Sequence, residues 1–424
     1  MQDRCRHFYT RYSIKWENAL LKVVPTQNKP SAGIFKDATV LPLRKRKDLK
    51  CKAFEGGVVN GKGLFVGGVQ RSKKNFQLNF ACTRGYKVEK PRYIDEKVVF
   101  GGVLFGHFGH VIIDSSTRLW HFAENHGDGL KRVFVQTPET SFKYGQFFDL
   151  AGMNWEIINE PTQYREVIVP EEAYWSNDRG HPVWLEWWDF LQKKALKTQN
   201  CTLKGRKKQD FDEISTLKTQ NSHLKCRKIY LTRTQFAGND GINEAYYENY
   251  FKSIGFEVIS PEKLPLDEQI AIISQASHIV CTMGTLAHML VFARDGADVT
   301  LLLRSPSSVL PAQLIINQLR RFNWRCIDAT VNPLPVSQSN GAFLYAPTPF
   351  FREFCSDSGL PEPPECKITP EITFTYLKKW TENYKKLLCW HYIKDFPCIE
   401  FLSSLSYFLT GEELDKDTYI NYKP

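Results

Sequence analysis

Four short apolar runs decide the fold of this chain, and they are KIYLT (228–232), FEVI (256–259), HIVC (278–281) and DVTLLL (298–303). The stretches between them, 243–254, 266–274 and 285–292, have the length and apolar content of helices. Strands that alternate with helices over short connections are typical of a parallel β-sheet with helices packed on its faces. Residues 226–304 are therefore predicted to form a doubly wound α/β half-domain.

The N-terminal half repeats this alternation between residues 96 and 180. The run 98–105 is uncharged and apolar, which favours a buried strand, and 110–125 has helical periodicity. Three more short strands are predicted at 132–135, 155–158 and 166–169. The fold class that follows is α/β, with a parallel sheet in each half.

A polar, basic segment separates the two halves. The sequence LKTQNCTLKGRK (196–207) recurs almost unchanged as LKTQNSHLKCRK (217–228), a single duplication rather than a solenoid. We interpret 196–226 as an inter-domain linker. The predicted parts are a mixed segment 1–90, an α/β domain 91–195, the linker 196–226, a second α/β domain 227–335 with a helix at 311–322 followed by a short strand, and a Pro-rich and helical tail 336–424 that packs back on the core.

The chain of 424 residues has a net charge of +10, with basic clusters at 44–52, 71–74, 193–208 and 378–386. Solvated faces, an anionic membrane surface and a diphosphate substrate all remain open as explanations. Nucleic acid is disfavoured as a partner because no helix-turn-helix, zinc-finger or RNP-like motif is present.

The 11 cysteines are dispersed, without CxxC or Cys/His ligand spacing, which suits a reducing compartment. Residues 1–22 lack the apolar core of a signal peptide, and no apolar run reaches the ~20 residues of a membrane span. We therefore expect a cytoplasmic protein that is either soluble or peripheral to the inner membrane.

The sequence CTMGTLAH (281–288) joins the end of a strand to the start of a helix through Gly284. Glycine lets the backbone approach a ligand closely, and the first amides of a helix attract anions. The hydroxyls of Thr282 and Thr285 can add donors, and His288 closes the segment. The pattern suits a phosphate site, although ordinary α/β proteins contain several such turns.

Arg233 follows the first strand of the block, where open α/β sheets bind ligands, and its guanidinium fork suits a phosphate. It can equally pair with a carboxylate or cap carbonyl groups. Asn243 and Glu244, with Glu262 after the next strand and Glu268 on the following helix, are candidate partners for ribose hydroxyls. Glu244 and Glu268 can equally be ordinary acids of a first helical turn.

The sequence GHFGHVIID (106–114) holds His107, His110 and Asp114. On a helix, His110 and Asp114 lie four residues apart and can touch. A carboxylate fixes the imidazole tautomer and raises its basicity, which is the arrangement of a general base; a pair that only locks the fold is the alternative. Two histidines near a carboxylate can also hold a metal, but no third ligand stands at the proper spacing, so no metal is expected.

Other catalytic motifs are missing from the sequence. Asp-x-Asp pairs occur at 210/212 and 415/417, in polar segments where we interpret them as solvated charge. GxxxxGK[ST], GxSxG and a GxGxxG after a strand do not occur, which disfavours kinases, hydrolases and dehydrogenases.

Three segments resemble, in order and spacing, the catalytic domain of glycosyltransferase family 61, and they are RKIYLTRT (227–234), Ile242–Val280 and MGTLAHMLVF (283–292). GHFGHVIID (106–114) resembles the His-centred segment of the family's N-terminal half. The most similar members are bacterial ones of capsule and lipopolysaccharide synthesis. The resemblance covers about residues 95–305, with Met289 standing where Asn is common and with an unusually long linker.

The resemblance implies a GT-B-like fold, two Rossmann-type domains with parallel sheets that face each other across a cleft. It implies inverting transfer of a hexose or pentose from a nucleotide-sugar to a saccharide or glycolipid acceptor, without a cofactor or a required metal. It places His110 on the acceptor side, in 91–195, and five residues on the donor side, Arg233, Glu244, Glu262, Gly284 and Thr285. A non-catalytic nucleotide-sugar or polysaccharide-binding protein on the same fold is the alternative.

Overall fold

The computed structural model of the chain describes residues 6–45, 54–67, 86, 88, 90–138, 141–206, 227–334, 336 and 341–389. Its strands are β1 (Phe8–Tyr9), β2 (Val24–Pro25), β3 (Ala32–Lys45), β4 (Phe54–Val59), β5 (Phe65–Gly67), β6 (Arg92–Leu104), β7 (Lys131–Gln136), β8 (Trp155–Ile157), β9 (Thr162–Pro170), β10 (Tyr174–Trp175), β11 (Arg179–Gly180), β12 (Arg227–Leu231), β13 (Gly241–Ile242), β14 (Glu257–Ile259), β15 (Ala276–Thr282), β16 (Asp298–Leu303), β17 (Asn323–Asp328) and β18 (Phe343–Leu344). Its α-helices are α1 (Ser13–Leu20), α2 (Phe108–His110), α3 (Trp120–Glu124), α4 (Gln146–Ala151), α5 (Leu185–Arg206), α6 (Ala245–Ser253), α7 (Leu266–Gln275), α8 (Pro311–Leu319), α9 (Pro349–Asp357) and α10 (Pro370–Cys389).

A fully parallel sheet contains the four strands that the apolar runs predict. Among the described residues its order is β1-β17-β16-β15-β12-β14, and every neighbouring pair is parallel. Its central strands are apolar because both faces are covered, and Ile279 and Val280 of β15 are fully buried. The sheet also takes in β1, a two-residue strand from the segment 1–90 that pairs with β17 and is too short for periodicity to reveal.

A second sheet has the order β5-β4-β3-β9-β6-β7-β8 within the described ranges. The strands β9, β6, β7 and β8 run parallel, whereas β3, β4 and β5 add antiparallel pairs. The α/β class is confirmed, but the prediction of two wholly parallel sheets is wrong for this one. The antiparallel strands come from the segment 1–90. Antiparallel neighbours can be joined without a crossover helix, so the sequence there lacks the strand–helix alternation from which a sheet was predicted.

Helix α5 packs the two halves around one apolar core. Its Trp187 and Trp188 are buried together with Phe134 of β7 and Ile279 of β15. Further along, Gln199 Nε2 donates to Asp267 Oδ2 of α7 over 3.0 Å. The helix continues to Arg206, so residues 196–206 are helical where a linker was expected, and 207–226 lie outside the described residues.

Two segments near the sheet ends depart from the predicted α-helices. The helix expected over 110–125 is divided into α2, a π-helical turn Val111–Ser115 and α3. Ser116 Oγ donates to the carbonyl of Ile112 over 2.5 Å, a bond within one turn that competes with the regular helical hydrogen bonds. The segment Thr285–Phe292 is a 3-10 helix rather than an α-helix.

The tail contributes α9 and α10 to the described structure. In α10, Trp380 is fully buried, and the Tyr376 hydroxyl accepts from the amide of Leu334 over 3.3 Å. The tail predicted over 336–424 is therefore helical at 349–357 and 370–389, and 390–424 lie outside the described residues. Within those residues no helix has both the length and the apolar character needed to cross a bilayer.

Candidate active site

A His–Asp pair lies at the carboxyl end of β6. The chain leaves β6, passes through α2 and enters the π-helical turn that holds Asp114. His110 Nδ1 donates to Asp114 Oδ2 over 2.7 Å, the contact that the i,i+4 spacing predicts. The Asp114 side chain is 2% exposed and that of His110 is 37% exposed. Because Nδ1 is bound to the carboxylate, proton exchange with a substrate falls to Nε2.

Two further histidines accompany this pair. The ring centroids of His107 and His110 are 5.2 Å apart. His288, from the other half, is buried, and burial lowers its pKa to about 4. Its Nδ1 donates to Gln313 Oε1 over 3.0 Å, and Gln313 Nε2 donates to Asn317 Oδ1 over 3.0 Å. Burial therefore keeps His288 neutral, while the bond to Gln313 fixes the proton on Nδ1 and leaves Nε2 as a hydrogen-bond acceptor.

The two halves meet at Gly109. A Cβ atom added to Gly109 would lie 3.2 Å from Thr285 Oγ1 and 3.4 Å from the ring of His107. The His-centred segment of the first half is thus packed directly against the turn that starts at Gly284 in the second. Glycine permits this approach, and it brings the His–Asp pair and the predicted phosphate turn into one site.

The turn itself carries an arginine. Gly284 has φ +133°, a backbone conformation that favours glycine, and an added Cβ would lie 2.1 Å from Arg304 Nη2. Arg304 follows β16 directly and is half-buried, and its guanidinium lies 4.9 Å from the Phe343 ring centroid. Burial lowers its pKa, and the nearby Arg233 lowers it further. A guanidinium held this way presents positive charge beside the turn.

Arg233 lies in a loop that Glu244 holds. The Arg233 amide donates to Glu244 Oε1 over 3.3 Å, and Asn239 Nδ2 donates to Oε2 over 3.4 Å. The Tyr230 hydroxyl also donates to Oε1, over 3.4 Å. Burial raises the pKa of Glu244 to about 7, although the bond from Arg233 lowers it. Glu244 thus stabilises the loop through hydrogen bonds from Arg233 and Asn239. The Arg233 guanidinium lies 5.2 Å from the Phe236 ring centroid.

The other candidate residues of the second half lie further from the turn. Asn243 Nδ2 donates to the carbonyl of Tyr345 over 3.0 Å, which fixes a loop. Glu262 is exposed in the 3-10 turn after β14, and Glu268 lies half-buried in the first turn of α7. The strand β12 separates β14 from β15, so these acids flank the Arg233 side of the site rather than Gly284.

Metal-binding geometry is absent from the part of the chain that the structure describes. It contains no group of three His, Cys, Asp or Glu side chains placed to hold a metal ion. The Asp-x-Asp pairs at 210/212 and 415/417 lie outside the described residues.

Arg304 and Gln313 contribute to the candidate site but were not among the residues predicted from the sequence. Arg304 stands one residue after a predicted strand, as Arg233 does, and the same strand-end argument applied there would have found it. Gln313 gives no such signal, because its contact with His288 depends on how α8 packs against the segment Thr285–Phe292.

Together, a His–Asp pair and an arginine-lined glycine turn lie at the carboxyl ends of parallel strands in an α/β protein, as a candidate general base beside a candidate anion site. Residues 108–300 match the family model of glycosyltransferase 61. The chain therefore carries a glycosyltransferase 61 domain, which confirms the family that its sequence resembles, and its substrates are a sugar donor and an acceptor. Among curated proteins none matches the chain.

Proposed function

We propose that this chain is an inverting glycosyltransferase that moves a hexose or pentose from a nucleotide-sugar to a saccharide acceptor. The observation that carries the proposal is the packing of Gly109 against Thr285. It sets a candidate general base and a candidate diphosphate site side by side, as a single displacement at the anomeric carbon requires.

In the proposed reaction, His110 Nε2 takes the proton of the acceptor hydroxyl while Asp114 stabilises the imidazolium that forms. The acceptor oxygen bonds to the anomeric carbon from the face opposite the diphosphate, and the C–O bond to the diphosphate breaks with its electron pair. Negative charge then grows on the diphosphate, where Arg233, Arg304 and the Gly284 turn supply positive charge and donors. One displacement inverts the anomeric centre.

Donor contacts beyond the diphosphate belong to the same proposal. Thr282 and Thr285 supply hydroxyls, His107 and His288 line the junction of the halves, and Glu262 is the exposed carboxylate best placed for ribose hydroxyls. Asn243 and Glu244 act by positioning the Arg233 loop, and Glu268 sits at the margin of the donor side. In this proposal the arginines stabilise the negative charge on the leaving diphosphate, which a metal ion does in other enzymes. We therefore propose that no metal or other cofactor is required.

The resemblance to glycosyltransferase family 61 also supports a proposal for the domain arrangement, the acceptor and the location of the reaction. We propose a GT-B-like arrangement in which 91–195 binds the acceptor and 227–335 the donor. The acceptor is a saccharide or glycolipid of capsule, lipopolysaccharide or lipooligosaccharide synthesis, used at the cytoplasmic face of the inner membrane.

Two measurements test the proposal. A thermal-shift screen against UDP-, GDP-, CMP- and dTDP-sugars identifies the donor, because ligand at ~100 times its Kd adds about 2.7 kcal/mol of stability. Product formation is then measured for His110→Ala and Arg304→Ala, with His126→Ala and Arg165→Ala as exposed controls. We expect loss of turnover in the first two and wild-type rates in the controls. Donor binding without turnover in the wild type would instead support the non-catalytic binding protein.

A further inference from the structure

Helix α1 carries an apolar strip that lies open to solvent in the part of the chain that the structure describes. The side chains of Ile14 and Leu21 are 74% and 78% exposed, and Val24, just beyond the helix, is 59% exposed. Ile14 and Leu21 are seven residues apart, so they lie on the same side of the helix. Exposed apolar side chains that lie together and are rimmed by polar residues are typical of protein or membrane interaction surfaces.

Cations stand beside this strip. Lys15 lies on α1 next to Ile14, and Arg11 and Lys22 flank the two ends of the helix. The stretch 11–22 contains Glu17 as its acid, which falls on the border of the strip away from the cations. The three cations and Ile14 line a cavity of about 630 Å³, which Tyr12 and Val309 also border.

The fold holds this face rigidly. Trp16, on the opposite side of α1, is fully buried, and its Nε1 donates to the carbonyl of Pro306 over 2.8 Å. Lys15 Nζ also donates to the carbonyl of Ser307. Because Trp16 fixes the buried side of the helix, Ile14 and Leu21 lie on its solvent-facing side.

The face also lies near the candidate active site. The strand β1 precedes α1 and is parallel to β17, so α1 follows the carboxyl edge of the parallel sheet. Arg304 and Thr282 stand at that same edge, at the ends of β16 and β15. The loop that α1 covers, at Pro306 and Ser307, begins just after Arg304.

We infer that this face of α1 docks the protein on a membrane surface that carries anionic phospholipids. The aliphatic side chains enter the boundary between headgroups and acyl chains, and the cations contact lipid phosphates. Nucleic acid would use the cations but gain nothing from Ile14 and Leu21, whereas a lipid surface uses both. None of the four basic clusters seen in the sequence forms this face. The inference does not depend on the transferase proposal, because vesicle binding needs no turnover.

The test is co-sedimentation of the full chain with vesicles of phosphatidylcholine containing about a third phosphatidylserine. We expect binding to these vesicles at low salt and little to pure phosphatidylcholine. Arg11→Glu/Lys22→Glu leaves the Lys15 bond intact and is expected to lower partitioning at least ~25-fold, from about fivefold per cation. Ile14→Ser/Leu21→Ser is expected to lower it as well.

Matched controls keep the test specific. Lys252→Glu/Lys367→Glu makes the same change of net charge at exposed lysines elsewhere, and Ile34→Ser removes another exposed aliphatic side chain, 59% exposed, from β3. Both should bind vesicles like the wild type, and thermal unfolding confirms that each variant folds. Equal losses in the control and α1 variants would overturn the inference. So would full vesicle binding by Ile14→Ser/Leu21→Ser, because contact through charge alone needs no apolar strip.

Discussion

At the scale of single residues, the candidate site depends on buried groups that set the properties of more exposed ones. Asp114 is almost fully buried and binds His110 Nδ1, while His110 remains partly open. Glu244 plays a similar supporting part for Arg233, and Gln313 for His288. Substitutions of the buried partners should therefore change chemistry without removing the groups that touch substrate.

The clearest case is Asp114→Asn. The amide keeps the size of the carboxylate but stabilises the imidazolium much less, and it can hold the wrong tautomer. We expect kcat to fall about 10²–10⁴-fold, the range of general-base contributions, with KM for the donor little changed. Steady-state product assays measure both constants. Asp95→Asn, the same change at an exposed carboxylate of β6, should retain wild-type kcat, and an active Asp114→Asn would contradict the assigned base.

Glu244 predicts a dependence of stability on pH. Its pKa of about 7 in the folded chain lies above the ordinary value of 4.5, so the folded state holds the proton more tightly than the unfolded one. The stabilisation is complete below about pH 4.5 and is lost as pH rises through 7, amounting to roughly 3 kcal/mol. Thermal unfolding between pH 5 and 8 should show this fall in the wild type.

The variant Glu244→Gln isolates the contribution. It cannot ionise, so its stability should vary less with pH than that of the wild type over the same window. Asp328, whose pKa burial raises to about 6, remains in both proteins and cancels in the difference. An unchanged pH dependence in Glu244→Gln would show that its carboxyl does not titrate in this range.

At the scale of elements, the strand ends and turns position the chemistry, and these were also the most predictable features. The runs 228–232, 256–259, 278–281 and 298–303 gave their strands because buried parallel strands are continuously apolar. Arg233 and Gly284 followed from standing at the ends of those strands. The i,i+4 spacing gave the His110–Asp114 contact even though the backbone there is π-helical rather than α-helical.

Other elements could not be read from the sequence. The strand β1 has two residues, and its place beside β17 depends on packing between distant parts of the chain. The long antiparallel strand β3 carries charges, a glycine and a proline, so it lacks the pattern of a core strand. Contacts across the junction, such as Gly109 with Thr285, are set by how the two sheets pack, which no local spacing encodes.

The Gly284 turn makes an element-level prediction. In Gly284→Ala the new methyl would collide with the Arg304 guanidinium, and the residue would have to keep φ +133°. We expect Arg304 to be displaced and donor affinity to fall about tenfold or more, since a charge-assisted bond contributes ~1.5–3 kcal/mol. Isothermal titration with the donor nucleotide measures the change. Gly127→Ala, where an added Cβ meets nothing within 4 Å, should bind like the wild type.

At the scale of the whole molecule, the two halves share a core, and a substitution in that core should therefore affect the unfolding of both. Trp188 is buried on α5 among side chains from both sheets, so the halves should unfold together rather than as independent domains. Trp188→Ala is expected to cost about 3–5 kcal/mol and to shift a single calorimetric transition. Tyr93→Ala, at an exposed aromatic residue, should change stability by no more than ~0.5 kcal/mol. Two transitions, with only one displaced by Trp188→Ala, would show that the halves are energetically separate despite their common core, and the junction at Gly109 would then be a surface at which they can part.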